Sequence, residues 1–406
     1  MSNSIVARQP ILNRKKETVA YELLFRTFNK EKEFDGSQAT AEVITSSLDL
    51  IGLDNLTGGK HAFINFTAEL IKSEIADLLP QKKIGIEILE DIKIDQELIS
   101  SSQRVKDSGH ILLLDDFIYQ EELIPLIEMA DIIKIDFLQT TGQRRKKIME
   151  HIKSNHNPDV KFLAEKIENY EEFKAAYQMG YDYFQGYFFT KPDTISTRKI
   201  PSYKFNYLQV INELNMPEPD FREISKIIKN DISMSYSLLR TINAAIYGYK
   251  VSSIKQAAAL LGLNKLKKWA MLYFIKGLSD DKPDALFNNT LVRAKMAELI
   301  ALNLNLQSKS SEYYTAGILS MLDAYLDRPL KNIIKELSLT DEVKKAILNQ
   351  EGKMGEILKL ISYFEKADWK QVEKIELKYD LDSEAIFELY REAIESAAQT
   401  IENINH

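Results

Sequence analysis

The stretch Ile111-Leu-Leu-Leu-Asp-Asp-Phe117 places two carboxylates directly after four consecutive apolar residues. A second stretch, Ile132-Ile-Lys-Ile-Asp-Phe137, carries a lysine and an acid within an otherwise apolar run. Short apolar runs bounded by polar residues are typical of strands that are buried on both faces. We therefore predict two buried strands with polar side chains near their C-terminal ends.

Similar runs recur through the first 200 residues. They predict strands at Val6–Leu12, Thr18–Phe25, Ala62–Phe66, Ile84–Leu89, Ile111–Phe117, Ile132–Phe137, Lys161–Ile167 and Phe184–Phe189. Amphipathic stretches between them predict helices at Thr40–Leu50, Gln96–Ser108, Gln143–Lys153 and Tyr170–Met179. This alternation favours a parallel sheet, and eight strands that close on themselves form a TIM-like barrel. The turn Asn13–Glu17 is too short for a helical crossover, so the first two strands should be antiparallel and the barrel a modified one.

The strand pattern ends near residue 200. Beyond it, apolar residues recur at spacings of three and four, as in Leu266, Ala270 and Phe274, and this spacing predicts helices. We therefore predict two domains: an α/β modified TIM-like barrel over residues 1–200 and an all-α helical domain over residues 201–406.

The composition excludes several classes of protein. Apolar residues make up 45% and charged residues 28% of the 406 positions, which is ordinary for a soluble globular chain. The absence of cysteine excludes disulfides and thiolate metal sites. A net charge of -7 gives no electrostatic footprint for duplex nucleic acid. No apolar run approaches the roughly 20 residues that cross a bilayer, so we expect no membrane association and a cytoplasmic location.

Polar residues follow the apolar part of strand after strand. They are Glu22, Asn65, Glu87, Asp115 with Asp116, Lys134 with Asp136, Glu165 and Gln185. The C-terminal ends of all barrel strands meet at one rim, so these side chains should lie close together. Several buried carboxylates in one place are costly unless a positive charge lies among them. The pattern therefore predicts a divalent cation, or a pair, at this rim.

The candidate ligands carry only oxygen donors: Glu22, Asn65, Glu87 and Asp115. This set favours Mg²⁺ or Mn²⁺ over zinc. Such sites act on phosphate esters. Lys134 would hold the attacking water or a phosphate oxygen, and Glu165 would take the proton of the water.

Some of these residues also admit structural interpretations. Asp116 has the opposite strand parity to Asp115 and would then pair with a neighbouring cation. Lys134 and Asp136 share parity and would then form an ion pair with each other. Glu90 lies just beyond its strand, where it would be solvated or hold a loop.

In order along the first half, the motifs resemble those of the EAL domain family of cyclic di-GMP phosphodiesterases. Arg8-Gln9-Pro10-Ile11 resembles the opening strand, and Glu22-Leu23-Leu24-Phe25-Arg26 resembles the E-A-L-x-R signature. The others are Asn65-Phe66-Thr67, Glu87-Ile88-Leu89-Glu90, Asp115-Asp116-Phe117, Lys134-Ile135-Asp136, Ala164-Glu165-Lys166-Ile167-Glu168 and Gln185-Gly186-Tyr187 through Lys191-Pro192.

The resemblance implies a role for each matched residue. The implied metal ligands are Glu22, Asn65, Glu87 and Asp115, with Asp116 shared between metals. Lys134 would position the water and Glu165 would be the general base. Arg26 and Gln185 would contact the dinucleotide, and Glu90 would brace the loop after Asp116. The implied reaction opens one phosphodiester of cyclic di-GMP to give linear pGpG, and the resemblance also suggests a homodimer.

The sequence departs from the family pattern at three points. Leu23 replaces an alanine in the signature, and Lys166 replaces a glycine after the implied general base. Ile118-Tyr119-Gln120 stands where active members carry a glycine-rich loop that links metal binding to dimerisation. Glycine permits backbone angles that these residues do not adopt readily, so the loop bears on catalysis.

The second half resembles the HDOD domain, a helical relative of HD phosphohydrolases. The match runs from Ile232 to Trp269 and includes Leu260-Leu261-Gly262. An HD enzyme needs a His-Asp pair for its metal, but His406 is the one histidine after His156. The resemblance therefore implies regulation, or binding of an unknown protein partner, rather than a second hydrolase site.

Three functions are compatible with these sequence features. The first is a working cyclic di-GMP phosphodiesterase regulated by the helical domain, which the full ligand set favours. The second is a degenerate EAL domain that acts as a cyclic di-GMP receptor, which the altered loop favours. The third is a barrel that serves only for protein interaction.

Overall fold

A computed structural model of the chain describes residues 4–27, 52–73, 75–89, 92–137, 142–191, 205–216, 218–243, 251 and 253–405. Its strands are β1 (Ser4–Asn13), β2 (Thr18–Thr27), β3 (His61–Phe66), β4 (Ile84–Ile88), β5 (Ile111–Leu114), β6 (Ile132–Asp136), β7 (Lys161–Glu165) and β8 (Tyr183–Gln185). All eight predicted strands are present.

The strands close into a barrel in the order β1 to β8. β1 is antiparallel to both of its neighbours, β2 and β8. The pairs from β2 through β8 are parallel. The short turn after β1 therefore has the predicted effect, and the predicted fold class of a modified TIM-like barrel followed by helices is confirmed.

Helices follow most of the barrel strands. They are α1 (Leu53–Thr57), α2 (Ala68–Lys72), α3 (Gln96–Asp107), α4 (Ile124–Met129), α5 (Gly142–Asn155) and α6 (Tyr170–Met179). The start of α3 is fixed by Asp95, whose side chain accepts from the Leu98 amide, and Asn169 caps α6 in the same way. The predicted helix at Thr40–Leu50 lies outside the described residues.

An apolar layer fills part of the barrel interior. It consists of Ile11, Ala20, Phe63, Leu113, Ile132 and Leu163, which are all buried and belong to one packed cluster. Side chains two residues apart on a strand share a face. The residues two positions nearer the C-terminal rim on these strands therefore point to the same interior.

Five predicted strands, β4 to β8, extend past their observed ends, and the excess is largest for β5 and β8. β5 ends at Leu114 because the backbone turns at Asp116, which has a positive φ of 39°. β8 ends at Gln185, and Tyr187–Thr190 forms a short 3-10 helix. Apolar runs mark where a strand is buried but not where its backbone leaves the sheet, so Phe117 and Phe189 are buried without belonging to strands.

Gly186 permits the turn that follows β8. Its φ is 143°, and a Cβ built there would lie 2.1 Å from the backbone oxygen of Ile167. That oxygen accepts from the amide of Phe188, so the contact belongs to the connection between β7 and the 3-10 helix. A side chain at this position would have to displace backbone next to Glu165.

The remaining helices follow β8. They are α7 (Phe205–Leu214), α8 (Phe221–Lys229), α9 (Ile232–Asn243), α10 (Ile254–Leu278), α11 (Asp284–Asn303), α12 (Ser310–Leu319), α13 (Leu322–Leu326), α14 (Leu330–Lys335), α15 (Asp341–Asn349), α16 (Gly352–Glu365), α17 (Trp369–Tyr379) and α18 (Ser383–Asn405). The predicted stripe of Leu266, Ala270 and Phe274 is buried.

The contacts divide the chain into two compact units. The first contains Met1–Lys191, Pro283–Ala285 and Ser362–His406, and the second contains Pro192–Lys282 and Leu286–Ile361. The boundaries of the two domains predicted from sequence, 1–200 and 201–406, stay a prediction. The C-terminal segment is grouped with the barrel because α18 packs on β1 and α1.

The second unit has α10 at its centre. This helix packs against α7, α8, α9 and α12, and it is kinked at Gly262, where φ is 70°. A buried ion pair between Lys282 and Asp327, with 2.6 Å between nitrogen and oxygen, lies in the same unit. Among the described residues, no helix is both long enough and apolar enough to span a membrane.

The Gly186 turn yields a test of the barrel. Gly186→Ala should lower the free energy of unfolding by clearly more than the ~1–2 kcal/mol that a left-handed residue alone costs, because its Cβ would overlap backbone. Gly58→Ala is the matched control, since Gly58 has a φ of 62° and nothing within 4 Å of the added Cβ. Urea denaturation of both variants measures the difference, and equal losses would contradict the close contact at Gly186.

Candidate active site

A polar layer lies next to the apolar layer on the same faces of the strands. It consists of Gln9, Glu22, Asn65, Glu87, Asp115, Lys134, Glu165 and Gln185. Six of these are two positions away from a member of the apolar layer, and the other two follow Gly85 and Tyr183 in the same way. The period of two along each strand therefore brings the predicted residues to one rim, although they are spread over more than 160 positions of sequence.

Lys134 lies at the centre of the polar layer. Its ammonium is 2.6 Å from Glu87, 2.8 Å from Asp115, 2.9 Å from Glu165 and 3.5 Å from Glu22. The side chain of Lys134 is fully buried. One ammonium faces four carboxylates, so the cluster has too little positive charge when all four are ionised.

Burial and the neighbouring charges together shift the pKa values of the cluster. Burial raises the pKa of Glu165 to about 8, against the lowering effect of Lys134 and with the help of Asp115 and Glu22. Burial likewise raises the pKa of Glu87 well above its usual value. Burial alone would lower the pKa of Lys134, but the surrounding carboxylates raise it well above its usual value. Burial close to like charges therefore favours the protonated form of Glu87 and Glu165.

Several oxygen atoms of the layer lack a donor. Among the described residues, none donates a hydrogen bond to Asn65 Oδ1, Glu87 Oε1 or Glu165 Oε2, although all three atoms are buried. The Asn65 amide nitrogen donates to Glu22 over 3.1 Å, which leaves the amide oxygen facing the cluster. Ligand atoms of Glu22, Glu87 and Asp115 lie within 4.8 Å of one another. Unpaired oxygens around excess negative charge fit a hard divalent cation.

A second pair of acids has its own cation. The Lys166 ammonium is 2.6 Å from Asp136 and 3.1 Å from Asp116. Although burial alone would lower the pKa of Lys166, the hydrogen bonds that its ammonium donates to Asp136 and Asp116 raise it. The alternative predicted for Asp116, pairing with a neighbouring cation, is therefore present. The alternative pairing of Asp136 with Lys134 is not among the ion pairs of the described residues, where Lys134 contacts the other acids.

Gln185 connects the carboxylates to the next residues of the rim. Its amide nitrogen donates to Glu22 over 2.5 Å and to Gln9 over 3.2 Å. Gln9 in turn donates to the hydroxyl of Tyr187 over 3.2 Å. Sequence reasoning did not identify Gln9 or Tyr187 as site residues. Gln9 was detectable from the antiparallel turn, because the pairing of β1 with β2 sets Gln9 opposite Glu22.

An open cavity of about 510 Å³ lies over this rim. Its walls include Glu22, Asp115 and Glu165 of the cluster, together with Lys191 and Lys366. The volume falls within the range of small-molecule sites, roughly 300–1,000 Å³. The cavity gives a ligand access to the carboxylate cluster.

The loop that departs from the family pattern is tied to α5 and the residues that follow it. The Tyr119 hydroxyl is 3.1 Å from His151 Nε2 and 3.2 Å from His156 Nε2. Ile118 is exposed, whereas Phe117 beside it is buried. The loop is therefore held by a side chain where glycine would have left it free.

Two predicted site residues are not described. Glu90 lies outside the described residues. The backbone of Arg26 belongs to β2, where it pairs with Ile5 of β1, but the side chain of Arg26 lies outside what the structure describes. Their predicted contacts with the loop and the dinucleotide stay predictions.

Family models match both parts of the chain. The model of the EAL domain matches residues 3–192, and the model of the HDOD domain matches residues 200–325. The resemblance seen in the sequence motifs is confirmed by these matches.

Two relatives match this chain over most of their own length. The chain is 38% identical to the uncharacterized protein YuxH of Bacillus subtilis over 96% of this chain and 97% of the relative. It is 33% identical to the cyclic di-GMP phosphodiesterase CdgJ of Vibrio cholerae over 94% of this chain and 90% of the relative. A solved structure of BlrP1 of Klebsiella pneumoniae with calcium and cyclic di-GMP is 19% identical, with a TM-score of 0.40, over 46% of this chain and 54% of that one.

The raised pKa of Glu165 predicts how the stability of the metal-free protein depends on pH. The unfolded chain loses the Glu165 proton near pH 4.5, whereas the folded chain keeps it to about pH 8. The free energy of unfolding should therefore fall between these values, by up to a few kcal/mol at about 1.4 kcal/mol per unit. Glu165→Gln should flatten part of this decline and be the more stable protein at pH 8.

Urea denaturation in EDTA from pH 4.5 to 8.5 measures this effect. Glu128→Gln makes the same chemical change at an exposed position of the same unit and should follow the wild type. A parallel decline in Glu165→Gln and wild type would contradict the assignment.

Proposed function

The chain belongs to the family of proteins in which an EAL domain is followed by an HDOD domain, and we propose that it hydrolyses one phosphodiester bond of cyclic di-GMP to give linear pGpG. The observation that carries this proposal is the cluster of four carboxylates around Lys134, which lies beside an open cavity and has oxygens that no described residue pairs. The name of its relative CdgJ, a cyclic di-GMP phosphodiesterase, supports the same reaction.

Mg²⁺ or Mn²⁺ is the proposed metal. Glu22, Asn65, Glu87 and Asp115 would hold it, since their carboxylate and amide oxygens match the ligands that these ions prefer. When bound, the ion supplies Lewis-acid stabilisation of the phosphoryl oxygens and lowers the pKa of a water. It would also offset the neighbouring negative charge that adds to the effect of burial in raising the pKa of Glu87 and Glu165.

Glu165 is the proposed general base. Its Oε1 is held 2.9 Å from the Lys134 ammonium, while Oε2 is free of donors among the described residues and the side chain lines the cavity. The free oxygen would accept the proton of the attacking water as the water oxygen bonds to phosphorus and one P–O ester bond breaks. Lys134 would keep Glu165 oriented and stabilise its charge before the proton arrives.

Gln185 and Arg26 are proposed to contact the dinucleotide. Gln185 reaches the cavity wall and keeps its Oε1 without a donor among the described residues, so that oxygen can accept from the substrate. Arg26 follows Glu22 by four residues on β2, which gives it the same parity and places it further toward the rim. Glu90 is proposed to brace the loop after Asp116.

A receptor that binds cyclic di-GMP without hydrolysing it is the second candidate. The observation that favours it is the loop Ile118-Tyr119-Gln120, which Tyr119 ties to His151 and His156. A loop fixed in this way is less able to rearrange when substrate and metal bind. Binding without turnover is the distinguishing result.

The helical domain is proposed to regulate the barrel or to bind a protein partner. No histidine falls between His156 and His406, so a His-Asp metal pair is not available in it. A homodimer through the barrel is also proposed, on the resemblance alone.

The direct test of the proposed reaction is turnover of cyclic di-GMP. Purified protein with Mn²⁺ or Mg²⁺ should produce pGpG, and EDTA should stop the reaction. Glu165→Gln should lower kcat by at least about 100-fold, because an amide cannot accept the proton. Nucleotide and metal binding should be nearly unchanged.

Glu128→Gln is the matched control and should keep full activity. If the wild-type protein binds cyclic di-GMP without forming pGpG, the result supports the receptor function and contradicts hydrolysis. If the protein neither binds nor hydrolyses cyclic di-GMP, the result supports a barrel that serves only for protein interaction. Full turnover in Glu165→Gln would refute Glu165 as the base.

The ion pair of Lys166 predicts the number of metal ions. With Asp116 and Asp136 occupied by an ammonium, the wild-type chain should bind one Mn²⁺. Lys166→Gly should bind two, because it frees both carboxylates and suits the positive φ of 55° at this position. Lys191→Ala, which removes a lysine paired with Glu168, should still bind one. Metal analysis after equilibrium dialysis measures the ratio, and two ions in the wild type would contradict the prediction.

A further inference from the structure

A lysine from the C-terminal segment lines the cavity over the carboxylate cluster. Lys366 directly follows α16 and belongs to the same compact unit as the barrel. It lies beyond residue 325, where the matched part of the HDOD domain ends, and far beyond the EAL match. Neither matched domain therefore accounts for its presence at the rim.

A backbone contact fixes the position of Lys366. The Tyr187 hydroxyl donates to the carbonyl of Glu365, the residue immediately before Lys366. The ammonium of Lys366 lies 5.5 Å from the centre of the Tyr187 ring, within cation–π range. Both contacts are made by Tyr187, which directly follows the turn at Gly186.

The contact continues to the carboxylate cluster. Tyr187 accepts from Gln9 over 3.2 Å, and Gln9 accepts from Gln185 over 3.2 Å. Gln185 donates to Glu22 over 2.5 Å. A chain of hydrogen bonds thus runs from a proposed metal ligand to the backbone beside Lys366.

Lys366 differs from the other lysines of the cavity in its charge partners. Lys166 is paired with Asp116 and Asp136, and Lys191 is 3.1 Å from Glu168. Within the described part of the chain, no carboxylate lies within ion-pair distance of Lys366. Its charge is therefore available to an anion that enters the cavity.

We propose that Lys366 binds a phosphate group of the nucleotide, so that the segment after the HDOD match supplies a substrate-binding residue to the barrel. The inference rests on the proposed function, because it takes the cyclic dinucleotide as the anion. An ammonium on an exposed, flexible stem can reach a phosphodiester oxygen and form a charge-assisted hydrogen bond. Tyr187 and the carbonyl of Glu365 would hold the base of that stem.

The test is a titration of cyclic di-GMP with Mn²⁺ in the Glu165→Gln background, where turnover is blocked. Lys366→Ala should raise the Kd about tenfold, and Lys366→Arg should stay within about threefold of the parent, since the guanidinium keeps the charge. The difference between Lys366→Ala and the parent should shrink at high salt. Metal binding should be unchanged in every variant.

Lys370 provides the matched control. It is an exposed lysine of α17 in the same segment and is not among the residues that line the cavity. Lys366→Glu should weaken binding far more than Lys370→Glu, although both change the net charge equally. Equal Kd values in Lys366→Ala and the parent would overturn this inference while leaving the proposed function intact. A parent protein that does not bind cyclic di-GMP would overturn both.

Discussion

One buried ammonium within reach of four carboxylates sets the condition on which the rim of the barrel depends. Removing these acids from water without sufficient counter-charge is unfavourable. This cost raises the pKa values of Glu87 and Glu165. A divalent ion would relieve the same imbalance. The arrangement is thus tolerable in two states, protonated or metal-loaded.

The strand period brings these acids together. The apolar layer fixes which face of each strand points inward, and the polar layer follows two residues further along. A slip of one residue in any strand would turn the wrong side chain into the barrel interior, for example Ile135 in place of Lys134. Packing and chemistry are therefore specified by the same alternation.

The sequence was informative wherever a residue acts through strand parity. The eight strands, the antiparallel turn and the convergence of Glu22, Asn65, Glu87, Asp115, Lys134 and Glu165 all follow from it. The ends of β5 and β8 did not follow, because they depend on the turns at Asp116 and Gly186. The strand pattern does not identify the partner of Asp116, since Lys166 belongs to a different strand connection. The position of Lys366 at the rim could not be predicted, because no local sequence pattern relates this residue to the barrel strands.

The division of the chain into discontinuous units has an evolutionary consequence. The polypeptide leaves the barrel unit after Lys191, returns at Pro283–Ala285 and returns again at Ser362. If recombination at a single point replaced the helical part of the chain, it would therefore also replace α18, which packs on β1 and α1. Shuffling with unrelated output domains would expose apolar barrel surface at that place. We therefore expect the two halves to be inherited together. The relatives that align over nearly their whole length are consistent with this expectation.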